Sequence, residues 1–178
     1  MQRTVTPLIS ALLVASCTSN DMKPSSTVNV PEKLKSGPNE TLAMIVPAKG
    51  VQIYECREKK GQPGVHEWTF VAPEAVLLDQ NGKIIGKHYA GPHWEAADGS
   101  KLVGVVKERA DAPSAVDIPW LLLKTTSVGT AGEFSNVTSI QRLNTNGGAA
   151  PKDGCSQADA GKIARVGYTA DYYFLKSK

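Results

Sequence analysis

Arg165-Val166-Gly167-Tyr168-Thr169-Ala170-Asp171-Tyr172-Tyr173-Phe174 decides the fold class. Val166, Tyr168, Ala170, Tyr172 and Phe174 fall on one side of a two-residue repeat, while Arg165, Thr169 and Asp171 fall on the other. Such alternation belongs to an extended strand with one buried face.

The rest of the chain reads in the same way. Residues 136–143 alternate more weakly, residues 120–125 form a continuous apolar run suited to a strand buried on both faces, and residues 102–107 are a further strand. Residues 66–71 place Trp68 and Phe70 on one face, and Pro73 is expected to end that strand. Residues 75–78 and 83–88 flank Asp79-Gln80-Asn81-Gly82, where Asn-Gly signals a tight turn. Residues 42–46 and 51–56 are separated by Pro47-Ala48-Lys49-Gly50, which has the composition of a turn and predicts a hairpin. A helix has room only after Cys155, with Ser156 capping one or two turns through Lys162. Eight or so short strands, punctuated by 16 Gly and 11 Pro, predict an all-β, single-domain antiparallel β-sandwich or barrel with long loops and at most one short helix. The longest loops are residues 110–117 and 144–154, and long loops on a β scaffold commonly carry binding residues.

Composition bounds what the domain can do. The chain has 178 residues, 41% hydrophobic and 21% charged, which suits one domain of about 140 residues between flanking segments. Its net charge of +3 falls by one if Arg3 is removed, and no Lys/Arg stripe exists to neutralise a line of phosphates, so nucleic acid is not an expected partner. Arg3 precedes a short apolar stretch at residues 8–15, too short for the roughly 20 residues of a bilayer-spanning helix. Val14-Ala15-Ser16-Cys17 follows the lipobox pattern of bacterial lipoproteins, in which small residues admit the peptidase and the cysteine thiol takes a diacylglycerol.

Residues 1–16 are therefore expected to be a lipoprotein signal peptide, residues 17–40 the lipidated Cys17 with a flexible Ser-, Thr-, Asn-, Pro- and Lys-rich tether, and residues 41–178 the β-rich domain. Thr18 in place of Asp favours the outer membrane, with the domain facing the periplasm; the alternative is a soluble secreted or periplasmic protein. With Cys17 lipidated, Cys56 and Cys155 remain as an even pair in an oxidising compartment, to be read as a disulfide or as two separate buried thiols. A two-cysteine metal site lacks the C-x-x-C spacing.

Several ordered strings carry a family resemblance. They are Gly50-Val51-Gln52-Ile53-Tyr54-Glu55-Cys56, Trp68-Thr69-Phe70-Val71-Ala72-Pro73-Glu74-Ala75, His88-Tyr89-Ala90-Gly91-Pro92-His93-Trp94 and Asp98-Gly99-Ser100. Later come Ile118-Pro119-Trp120-Leu121-Leu122, Ile140-Gln141-Arg142-Leu143, Gly147-Gly148 with Cys155, and Tyr168-Thr169-Ala170-Asp171-Tyr172. With these strings the chain resembles domain-of-unknown-function family 3455 over most of residues 42–174. The resemblance implies a secreted, β-rich domain, and both Cys56 and Cys155 fall within matching pieces. It implies no established activity and assigns no catalytic residue.

Candidate chemistry concentrates in residues 88–100, which hold two of the three histidines. His88, His93 and Glu95 have the ligand types of a catalytic zinc site, but H-E-x-x-H is absent and the His-x-Glu of zinc deaminases lacks its Pro-Cys-x-x-Cys partner, so no metal or other cofactor is assigned. Glu95 and Asp98 offer paired carboxylates for glycoside cleavage, although Asp98-Gly99-Ser100 also reads as a simple turn. No G-x-S-x-G string supports a serine hydrolase. Tyr89 and Trp94 provide flat apolar surfaces, beside which His88, His93, Glu95 and Asp98 could hydrogen-bond a glycan or other small polar ligand; the alternative fate of Trp94 is core filling. Arg142 is read either as a clamp for an anionic group or as the partner of an Asp or Glu on a sheet face. The expected role is binding or structural, in an envelope lipoprotein whose partners are the membrane at Cys17 and a glycan or small molecule. A metal-assisted or carboxylate-based hydrolase using His88, Glu95 and Asp98 is the alternative.

Overall fold

The computed structural model describes residues 28–178, so the segment expected to be a signal peptide, Cys17 with its expected lipidation, and the first part of the expected tether lie outside the described residues. Eight antiparallel strands follow one another around a closed barrel: β1 (Glu40–Glu58), β2 (His66–Leu78), β3 (Ile84–Tyr89), β4 (His93–Ala96), β5 (Lys101–Ala110), β6 (Trp120–Ser127), β7 (Val137–Gly147) and β8 (Ile163–Ser177). β8 closes the barrel against β1 over a long register running from Glu40 opposite Ser177 to Glu55 opposite Ile163. The helical content after Cys155 is a single 3-10 turn, Gln157–Asp159, boxed by reciprocal bonds between Ser156 and Asp159.

The alternation of β8 holds in three dimensions. Tyr168, Ala170, Tyr172 and Phe174 are buried inward, whereas Val166 is half-buried near the start of the strand. Because the strands run up and down in sequence order, the β1–β2, β3–β4, β5–β6 and β7–β8 connections share one end, here called the mouth. The β2–β3, β4–β5 and β6–β7 connections share the other, the floor. Phe134, from the β6–β7 connection, is fully buried in the main core and meets Phe174 edge-on with centroids 4.9 Å apart.

Two strands run through residues read as breaks. Pro47-Ala48-Lys49-Gly50 is not a turn but the middle of β1. The carbonyl of Ile45 accepts from the Gln80 side chain on the β2 side, so the nitrogen of Pro47, two residues on, faces the same edge, where β2 pairing begins only at Ala48. No ladder bond is lost there. Gly50 marks a close approach: a Cβ would stand 2.1 Å from the Glu74 carbonyl oxygen and 2.5 Å from Ala75 Cα. Pro73 likewise does not end β2, because at that point β2 pairs only with β1 and gains β3 at Ala75.

The wall has a side slot. β3 and β4 have only six and four residues, and they pair with β2 over residues 75–78 and with β5 over residues 101–103. Above the β3–β4 turn, β2 and β5 therefore each keep an unpaired edge. Phe70 and Val71 on β2 and Val105 and Val106 on β5 are exposed along these edges.

The described end of the segment expected to be a flexible tether is docked on the barrel. Residues 28–39 lie on the outside of the barrel, where a 3-10 turn, Glu32–Leu34, buries Leu34 among Ala110, Trp120, Leu122 and Leu143, with Val28, Val30 and Tyr173 alongside. Gln141 Nε2 donates to the Leu34 carbonyl at 2.6 Å. Apolar residues in this segment are too sparse to show a period, but they cover outward-facing apolar groups of β6 and β7 that would otherwise meet water.

Candidate ligand-binding site

Strand alternation divides residues 88–100 between three places. His88 and Trp94, directly opposite in the β3–β4 register, both point into the barrel. Trp94 meets Tyr172 edge-on at 5.5 Å, and Gly104 leaves room for its indole, since a Cβ there would stand 2.7 Å from Trp94 Cζ3. His88 Nδ1 lies 2.7 Å from the His93 carbonyl oxygen; as a carbonyl only accepts, Nδ1 carries the hydrogen and Nε2 the lone pair. Burial pushes the His88 pKa down to about 3, against the opposing hydrogen bond to His93 and with help from the Arg142 charge. The imidazole is neutral at ordinary pH.

Tyr89, His93 and Glu95 face outward. The Tyr89 and His93 rings stack 5.2 Å apart, and the Tyr89 hydroxyl donates to Glu95 Oε2 at 2.6 Å. That hydroxyl, followed by Lys87 at 3.2 Å, holds the Glu95 carboxyl below its usual range. His93 Nδ1 bonds the Ala90 carbonyl at 2.6 Å, as part of the β3–β4 turn. The two histidines thus belong to opposite sides of the wall, and no cluster of three or more metal-ligating side chains occurs among the described residues.

Asp98 lies at the floor. Its Oδ1 accepts from the Ser100 hydroxyl at 2.6 Å and the Ser100 N–H at 2.9 Å, and its Oδ2 accepts from the Glu133 N–H at 2.8 Å. Ser100 Oγ in turn accepts from the Phe134 N–H at 3.1 Å. This network, led by the Ser100 hydroxyl, holds the Asp98 carboxyl below its usual range and pins Phe134 into the core. Of the candidate residues only His88, Trp94 and Arg142 share the interior; Tyr89, His93, Glu95 and Asp98 do not join them, and a hydrolase built on His88, Glu95 and Asp98 has no common centre.

Arg142 projects inward from β7. Its Nε and Nη2 donate to the Pro119 carbonyl at 3.0 and 2.8 Å, and among the described residues no carboxylate stands within ion-pair distance. The reading of Arg142 as the partner of an Asp or Glu is therefore replaced by a guanidinium fastened to the backbone of the 110–119 loop. Burial raises the Tyr54 and Tyr172 pKa values, and the Arg142 charge opposes both shifts, so it acts on two sides of the same space.

That space is a cavity of about 1010 Å³ running from the mouth and side slot to Trp94 and Tyr172. Gln52, Tyr54, His88, Leu121, Leu123 and Arg142 line its wall, and Phe70, Val71, Val106 and Pro113 its rim. Gln52, Tyr54 and Tyr172 are site residues that sequence reasoning missed. The signal was present in the alternation of Gln52, Tyr54 and Cys56 along one face, where a buried glutamine is out of keeping with a purely apolar core.

The mouth loops are fastened. The Cys56–Cys155 disulfide ties β1 to the β7–β8 connection, and Trp68 Nε1 donates to the Gly154 carbonyl at 2.7 Å. The Tyr54 hydroxyl donates to the Gly148 carbonyl at 2.7 Å, and Asp117 Oδ1 accepts from the Gly147 N–H at 2.6 Å. The cavity is preformed.

The sequence profile of a family described as protein of unknown function (DUF3455) matches residues 37–176. The chain belongs to the DUF3455 family. Comparison with curated proteins and with solved structures returned no significant match. The DUF3455 match takes in β1 to β7, β8 except its last residue, the disulfide and every residue of the cavity wall named above.

Proposed function

We propose that this DUF3455 barrel is a binding domain that holds one small molecule in its interior. The observation that carries the reading is the preformed cavity of about 1010 Å³, reached through the mouth and side slot and walled by aromatic and aliphatic side chains with a few polar groups. Small-molecule sites combine a mainly apolar wall with sparse polar groups, and eight-stranded barrels have interiors wide enough for one small ligand. The ligand sits against His88 and Trp94 rather than on the outer Tyr89–His93–Glu95 cluster, where Tyr89 already bonds Glu95 and His93 the Ala90 carbonyl.

The cellular setting in this proposal is the bacterial envelope, with Cys17 lipidated in the outer membrane and the barrel facing the periplasm. The lipobox at residues 14–17 and an oxidised Cys56–Cys155 pair support it. Mass spectrometry of the mature N-terminus tests it: a diacylglyceryl Cys17 is expected, and an unmodified N-terminus would sink the anchor.

Titration of the full chain with 1-anilinonaphthalene-8-sulfonate tests the binding function. One saturable site is expected, and Ala149→Trp, at the cavity rim, should weaken it at least tenfold with the barrel's circular dichroism unchanged. Non-saturating fluorescence, or equal affinity in Ala149→Trp, would count against an interior site.

A further inference from the structure

We propose that the ligand carries a single carboxylate, which pairs with Arg142 inside the barrel while its apolar remainder extends past Trp94 and Tyr172 toward the side slot. This assignment rests on the reading of the barrel as a binding domain and names the chemistry of its ligand.

Three observations carry it. The first is charge. Arg142 lines the cavity without a carboxylate in range among the described residues; its Nε and Nη2 share one carbonyl acceptor, and its other neighbour is the neutral Tyr172 hydroxyl, so its charge is not balanced there. Asp117, the acid nearest in the loop that carries Pro119, is committed through Oδ1 to the Gly147 N–H. A guanidinium in a mainly apolar site favours an anion, and its planar fork matches a carboxylate.

The second is an excess of donors. Gln52 is 2% exposed and Trp94 1% exposed, both line the cavity, and among the described residues neither Gln52 Nε2 nor Trp94 Nε1 has an acceptor in hydrogen-bonding geometry, although the Tyr168 hydroxyl stands beside Gln52. Buried N–H groups without acceptors are uncommon and costly, so these two and the Arg142 fork together call for an acceptor-rich group.

The third is the balance of charge in the wall. His88 is neutral, Arg109 and Asp111 are exposed and opposite in sign, and Asp117 bonds the Gly147 N–H, so among the described residues Arg142 is the cation that faces the interior, and one carboxylate pairs with it. Phe70, Val71 and Val106, exposed at the slot, offer apolar contact to the rest of the molecule.

The test compares 11-(dansylamino)undecanoic acid with its methyl ester by fluorescence titration of the full chain. The acid is expected to bind at least tenfold more tightly than the ester. Arg142→Gln should lose at least tenfold for the acid with little change for the ester, Arg142→Lys should recover part of the loss, and Gln52→Leu should weaken the acid severalfold. Thermal unfolding of each variant reports folding; if Arg142→Gln does not fold, the wild-type acid-to-ester ratio and Arg142→Lys decide. Equal binding of acid and ester by the wild type would overturn the carboxylate assignment and leave the binding function standing. If neither binds, both fall.

Discussion

His88 and Trp94 stack inside the barrel with ring centroids 4.4 Å apart and planes inclined by 19°. The contact joins two short strands at the point where the wall opens, and it forms part of the inner aromatic wall of the cavity. A neutral imidazole is required for it, because a charged one would stand unpaired beside Arg142 in a buried site.

The His88 pKa of about 3 lies below the unfolded value near 6.5, so between these pH values the unfolded chain binds a proton that the folded chain does not. His88 therefore makes stability fall as pH drops from 6.5 toward 3, by up to about 1.4 kcal/mol per pH unit. Urea unfolding at pH 7, 6 and 5 should show this loss in the wild type and a flatter profile in His88→Gln. Parallel profiles would contradict the buried neutral imidazole.

Ser100 is fully buried and links Asp98 to the Phe134 N–H at the floor. Ser100→Ala leaves that N–H without its acceptor, at an expected cost of about 1 to 3 kcal/mol. Ligand affinity in the cavity should be unchanged. A loss of binding without a loss of stability would return the Asp98 turn to the functional site.

The sequence made the barrel wall legible where one face is wet: β8, the Asn81-Gly82 turn and the capped turn at Ser156 all follow local rules. It concealed β1 and β2 where Pro47, Gly50 and Pro73 read as punctuation, because a proline is harmless only when its strand edge is unpaired, a property of neighbours distant in the chain. The candidate segment touches the cavity at His88 and Trp94, but its division between the two faces of the wall is not legible in the sequence. His88 and Trp94 share the interior with Arg142 only because β3, β4 and β7 meet across a closed sheet, and Asp98 falls to the floor because β4 stops after four residues. Gln52 escaped notice for the same reason: polarity at an inward position becomes meaningful only once closure makes that face an interior.

Leu34 and Gln141 hold the N-terminal segment to the outer wall. Leu34→Ala should cost about 2 to 5 kcal/mol if the segment unfolds with the barrel. If the segment instead detaches by itself, the variant should become sensitive to limited proteolysis near Lys33 and Lys35 with little change in the main transition. Either outcome fits a docked segment; a variant matching the wild type in both assays would contradict it.

The central claim, that this DUF3455 domain binds a small molecule inside its barrel, is tested most directly by mapping chemical shifts in an isotope-labelled sample titrated with 11-(dansylamino)undecanoic acid. The side-chain N–H signals of Gln52, Trp94 and Arg142, and the ring signals of Tyr54, His88 and Tyr172, should move together and saturate at one equivalent. Shifts confined to the outer Tyr89, His93 and Glu95, with the interior signals unmoved, would contradict it.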